Sequence, residues 1–148
     1  MAEISARLEL KGWNATQLKL RIPTIIRAYG DVLDAQLKEE IKTVKDYGWP
    51  NITRRRNGAT VGSSRDIVDT GNFLRSQRRD YPDATTLRFT WDSKSDKGFM
   101  YAGIILTGYV TAKGRAMPKR DWIKPALDKY PLNAFFIREW RRLANSRL

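Results

Sequence analysis

Asp83, Asp92 and Lys94 are the residues whose types and spacing come nearest to reaction chemistry in this chain. Pro82-Asp83 followed by Asp92-Ser93-Lys94 spells the PD…DxK pattern of metal-dependent nucleases. In that pattern two carboxylates hold Mg²⁺ and a lysine stabilises the charge developing on the attacked phosphate. The chemistry needs its carboxylates anchored on rigid strands. Here the second triplet opens DSKSDKG, residues 92–98, which reads as an exposed polar turn, and so short a pattern often arises by chance. Other chemistries are few. The chain contains no histidine and no cysteine, which removes the commonest general base, the commonest metal ligand and any thiol nucleophile or thiolate site. Carboxylate, lysine, tyrosine or serine chemistry is all that is left, and no glycine-rich phosphate loop of either nucleotide-binding type occurs. We expect no catalysis, no cofactor and no resident metal.

A second set of residues suits binding. Arg54, Arg55 and Arg56 run together, with Arg65 close behind. Each guanidinium offers a two-pronged fork to phosphate or carboxylate, although an isolated basic run is as often a solvated loop tip. Lys113, Arg115, Lys119 and Arg120 form another basic set in KGRAMPKR. Neither an aromatic RNA-binding pattern nor helix-turn-helix spacing accompanies them. The formal charge is +12, and it is uneven: residues 1–50 hold eight basic and seven acidic side chains, residues 51–148 twenty and nine. A basic half of this size implies an anionic partner, either nucleic acid or an acidic protein surface.

The elements that must position these groups can be read from periodicity. At 148 residues and 17.1 kDa, with 41% hydrophobic and 30% charged residues, the chain is one domain with an ordinary globular composition. Met1-Ala2-Glu3 lacks the basic start of a signal peptide and no run approaches a membrane span, so a soluble cytosolic protein is expected. Ile4, Ala6, Leu8 and Leu10 alternate with polar residues as in a half-buried strand, and Asn14 is placed to cap a first helical turn. Pro23 falls where a long helix would start or kink. From there Ile22, Ile25, Ile26, Tyr29, Leu33, Leu37, Ile41 and Val44 keep helical spacing to about Tyr47-Gly48. That stripe packs on the domain's own sheet, or in part on a neighbouring subunit. Residues 54–65, RRRNGATVGSSR, read as a mobile basic loop. Asp69 or Thr70 then caps a short helix with Gly71 in its first turn. Gln77 to Tyr81 is extended, and Leu87, Phe89 and Trp91 alternate with Thr86, Arg88 and Thr90 as a strand. Leu132, Phe136, Trp140 and Leu143 mark a terminal helix.

Residues 101–127, YAGIILTGYVTAKGRAMPKRDWIKPAL, organise the rest. An apolar segment breaks at Thr107-Gly108 into the second basic loop, which closes on Trp122-Ile123. Asp121 can cap the following helix, and Pro125 then falls in its first turn, where a missing N–H costs least. A basic loop with aromatics at both ends is a presented loop.

Three stretches together resemble a known family. Val68-Asp69-Thr70-Gly71-Asn72-Phe73-Leu74-Arg75-Ser76 is similar to its "hydrophobic-x-T-G-x-L-x-x-S" signature after a long helix. Tyr101-Ala102 with Gly108 is similar to its "Y-A-x-x-x-x-x-G" segment. Met117-Pro118 through Trp122-Ile123-Lys124-Pro125-Ala126-Leu127 is similar to its "M-P-x-R-P-F-L-x-P-A-L" ending. In this order they resemble the minor tail component family of long-tailed bacteriophages, also called tail-completion or neck proteins, over roughly residues 14–145. Leu106-Thr107 stand where members usually carry an acidic residue, and Asp121 where they carry proline. The resemblance implies a single α+β domain over 1–148, a long N-terminal helix packed on a small antiparallel β-sheet with a C-terminal helix. It also implies a homo-oligomeric ring, six- or twelve-fold, at the head–tail junction of a virion assembled in the host cytoplasm, with neighbouring neck and tail proteins as partners and genomic DNA within reach. A tail terminator and a free-standing basic nucleic-acid-binding protein are the alternatives.

Overall fold

The computed structural model describes residues 2–7, 15–49, 51–68, 71–95, 98 and 100–146. In chain order its elements are β1 (Ala2–Arg7), α1 (Ala15–Lys42), β2 (Lys45–Asp46), β3 (Thr53–Arg54), β4 (Thr60–Val61), β5 (Ser64–Arg65) and α2 (Asn72–Arg75). There follow β6 (Gln77–Asp83), β7 (Thr86–Trp91), α3 (Ala102–Thr107), β8 (Tyr109–Val110), β9 (Ala116–Met117), α4 (Ile123–Lys129) and α5 (Leu132–Asn145). The architecture is α+β: a long N-terminal helix on a small antiparallel sheet, with a C-terminal helix.

The sheet has the order β1-β7-β6, antiparallel throughout, with Ile4 opposite Phe89 and Gln77 opposite Trp91. The alternation read in β7 is what the fold uses. Leu87, Phe89 and Trp91 are buried on one face, while Arg88 on the other reaches Asp80 of β6 at 2.5 Å. Against the buried face lies the stripe Ile22, Ile25, Ile26, Tyr29, Leu33, Leu37 and Ile41 of α1, all buried. The helix therefore spends its stripe on its own domain, the first of the two packings the spacing allowed. The terminal helix also packs on this stripe of α1. Phe135 meets Tyr29 with ring centroids 5.1 Å apart, and the Tyr29 hydroxyl donates to the Tyr130 carbonyl at 2.9 Å. A polar chain ties α1 to the sheet: Trp91 Nε1 donates to Gln77 Oε1 at 3.2 Å, and Gln77 Nε2 donates to Asp34 Oδ1 at 2.9 Å.

Three expectations need correction. The long helix runs from Ala15, the start that a cap at Asn14 implied, through Pro23, but ends at Lys42 and not near Tyr47-Gly48, because the stripe beyond has nothing to cover it: Val44 is 61% exposed. Pro23 removes one ladder hydrogen bond inside an otherwise continuous helix. Residues 54–65 are not an irregular loop. β3 and β4 form a hairpin whose turn closes through Arg55 N to Ala59 O at 2.8 Å, with Gly58 at φ 88, and β5 pairs with β2. Gly71 stands just ahead of the short helix at φ 82, outside its first turn. The proposed caps Asn14, Asp69 and Thr70 lie outside the described residues, as do Leu8 and Leu10.

Candidate functional site

The stretch 101–127 becomes a brace. Tyr101 precedes α3, Ala102 is fully buried, and Gly108 ends the helix at φ 75. A Cβ at Gly108 would come within 2.8 Å of the Met117 carbonyl, so this position must be glycine for β8 and β9 to close on each other. Asp121 caps α4 as expected: its Oδ1 accepts from the amides of Ile123 at 2.9 Å and Lys124 at 3.0 Å. Pro125 follows in the first turn and Ala126 is buried, while Leu127 is exposed. Trp122 is fully buried, edge-on to Trp91 at 5.3 Å and to Phe73 at 4.9 Å. Phe73 is held by the α2 turn, where Ser76 Oγ donates to its carbonyl at 2.8 Å, and Leu74 packs against the same core. Phe73 and Trp122, from the first and third signature stretches, thus meet Trp91 in one aromatic cluster, and Ala102 of the second belongs to the same buried core.

Above this cluster the two basic segments come together around a cleft of about 570 Å³. Ile67, Val68, Phe73, Ile104, Ile105 and Met117 form its apolar wall, and Arg54, Arg55, Arg56, Arg65 and Arg120 contribute the charge. Among the described residues no carboxylate lines it. Trp49 organises the arginines: the Arg65 guanidinium lies 4.1 Å from its ring centroid and that of Arg120 4.9 Å.

The five arginines do different work. Arg65 was expected as an exposed interface cation and is instead 5% exposed. Its Nε donates to Gly62 O at 2.6 Å, and its two Nη groups to Thr53 Oγ1 at 3.0 Å and Val61 O at 2.7 Å. It is the pin of the β3–β4 hairpin, because only a planar fork can satisfy three acceptors on two strands at once. Arg55 pairs with Asp66 at 2.6 Å and donates to its carbonyl at 3.1 Å. Arg54, on β3, and Arg56, just beyond it, are exposed. Arg120 is held by its main chain, whose amide donates to Ile105 O at 2.8 Å. Its side chain has no carboxylate partner among the described residues, and its Nε is buried with no acceptor. Burial, and after it the charges of Arg65 and Arg55, pull the Arg120 guanidinium below its ordinary value against the opposing influence of Tyr109 and Tyr47.

The remaining candidates disperse. Lys113 and Arg115 sit in the exposed turn between β8 and β9, where Gly114 takes φ 73, and Lys119 is exposed beyond β9, with half-buried Pro118 before it. The nuclease spelling does not assemble. Asp83 pairs with Thr86 at one end of the β6–β7 hairpin, and Asp92 follows Trp91 at the other, about 20 Å away at ordinary strand rise. Asp83 instead caps its turn, accepting from Thr85 N at 2.7 Å and Thr86 Oγ1 at 2.8 Å, and these bonds hold its carboxyl below the usual range. Among the described residues no helix is long and apolar enough to cross a membrane. Comparison of the chain with protein-family models, curated proteins and solved structures gave no match.

Proposed function

We propose that this chain is a structural subunit of a bacteriophage head–tail junction, a neck or tail-completion ring protein that joins tail to capsid through protein–protein contacts. The observation that supports it best is the use made of the three signature stretches. Phe73, Ala102 and Trp122 share one buried core, Gly108 lets β8 and β9 close on each other, and residues of the two basic hairpins line one cleft at the surface. Such a device suits a protein whose work is contact. The second hairpin also carries apolar surface, with Val110 68% exposed. In this reading the copies form a ring in the virion, Lys113, Arg115, Lys119 and Arg54 meet acidic neighbours, and the genome passes nearby.

The test is assembly without this subunit. Filled heads and finished tails should accumulate unjoined, and purified subunit should join them. Joined infectious particles formed in its absence would overturn the proposal, and over-length tails would make it a tail terminator. The +12 charge also fits a free-standing nucleic-acid binder, which light scattering would reveal as a monomer that changes size only with DNA.

A further inference from the structure

We infer that the cleft around Trp49 is a docking site for a protein segment that pairs an acidic side chain with flanking apolar ones, and that Arg120 is the residue that receives the carboxylate. The inference takes its biological meaning from the contact-protein reading above and names the chemistry of the partner.

Three observations lead to it. The first is the unspent cation. Arg65 has committed its guanidinium to three acceptors of the hairpin, and Arg55 is engaged by Asp66. Arg120 faces the same cleft with a buried Nε that has no acceptor. A buried cationic N–H without an acceptor is unfavourable, so a ligand that supplies an anionic acceptor there gains by relieving it. The second is the balance of donors. The Trp49 indole N–H and the Tyr47 hydroxyl are also buried without partners, and Tyr47 lies within electrostatic reach of Arg120. No carboxylate is among the described lining residues, and those within electrostatic reach of Tyr47, Glu40, Asp121 and Asp66, are engaged by Lys45, the α4 amides and Arg55, which leaves these donors for an anionic oxygen ligand.

The third observation chooses between a carboxylate and a phosphodiester. The wall beside Arg120 is apolar, built from Ile67, Val68, Ile104, Ile105 and Met117. A nucleic-acid backbone carries a charge at every step and is served by exposed cations on an open surface. Pressing it against this wall would desolvate phosphates with nothing to replace the water. An acidic residue with leucine-like neighbours satisfies wall and cation together. The volume, about 570 Å³, falls in the range of clefts that enclose a few side chains.

The experiment titrates the isolated full-length subunit with two capped pentapeptides, one alternating leucine and glutamate, the other leucine and glutamine. A short DNA duplex is titrated in parallel. Binding is followed at the Trp49 indole N–H and Arg120 Nε–H resonances. We expect the glutamate peptide to shift both signals and to bind about tenfold or more tightly than the glutamine peptide, as loss of one charge-assisted contact implies. Arg120→Gln should abolish that preference while changing the melting temperature little, since it removes the cation–π contact with Trp49 and the unsatisfied buried Nε together. Should that variant fold poorly, the wild-type preference for glutamate decides alone. Equal binding of the two peptides, or no shift with either, overturns the inference, and a duplex that moves the same two resonances more tightly hands the site to phosphate. None of these readouts depends on ring formation, so failure here and failure of the head–tail proposal are separate results.

Discussion

Arg65 and Arg120 both hold their guanidinium against the Trp49 ring, yet their substitution should have unequal consequences. Arg65 is buried and spends three groups on hairpin acceptors. Arg65→Lys keeps the charge but not the planar fork, and leaves at least one acceptor unsatisfied. We expect a loss of about 1–3 kcal/mol, read as a lowered denaturant midpoint with unchanged slope, and faster hydrogen exchange at Arg55 and Ala59. Arg120 has no acceptor at its Nε and only the Trp49 ring beneath it, so its removal should cost less than that of Arg65. At Asp121 the carboxylate accepts two amides at the start of α4. Asp121→Ala should lower stability by about 0.5–2 kcal/mol and Asp121→Asn by less, because asparagine is also a good cap. Thermal melting of the pair decides it, and identical melting of Asp121→Ala and wild type would remove the cap assignment.

At the scale of elements, the closest approach is where α1 crosses the β6–β7 hairpin at Gly30. A Cβ there would press on the Tyr81 hydroxyl and come within 3.2 Å of Arg79 Cδ and Leu87 Cδ1. Alanine is the better helix former by up to about 1 kcal/mol, whereas overpacking costs about 1–3 kcal/mol, so crowding should win. We expect Gly30→Ala to destabilise the protein. The effect should shrink or reverse in a Tyr81→Phe background, where the obstructing hydroxyl is gone. A double-mutant cycle with no coupling between the two positions would show that the helix simply moves aside. The long helix is held to the sheet by this tight crossing together with the Asp34–Gln77–Trp91 chain.

For the whole molecule, the missing histidines set the response to pH. With none present, no side chain at its ordinary value titrates between about pH 5 and 8, and folding stability should be flat across that interval. Acid is different. Burial pushes the Asp34 carboxyl up, but hydrogen bonds from Lys38 and Gln77 outweigh it and leave the group below its usual value. A depressed carboxyl contributes stability that is complete above the unfolded value of about 3.9 and is lost as pH falls through the folded one. Asp34→Asn should therefore be less stable than wild type at neutral pH, with the gap narrowing below about pH 4. Denaturation at neutral and acidic pH tests this, and a constant gap would mean that Asp34 acts through shape alone.

The elements of this fold were legible in the sequence because each is decided by its own neighbours. The 3.6-residue stripe of α1, the alternation of Leu87, Phe89 and Trp91, and the Asp121 cap with Pro125 behind it are local patterns, and packing used them as written. The β3–β4 hairpin had a local signal too. Asn57-Gly58 is a favoured turn pair, and Gly58 takes the positive φ that such a turn needs, but the surrounding arginines read as a solvated loop. The C-terminal end of α1 was misplaced because nothing in the fold covers the stripe at Val44, which composition does not state. The cleft was beyond the sequence altogether. Trp49, Arg65 and Arg120 come from separate segments and meet only when two hairpins close over the Phe73–Trp122–Trp91 cluster. Residue type could say that each arginine was a cation. Whether it became a buried pin or an unpaired charge facing a cleft was decided by which acceptors the folded chain brought within reach.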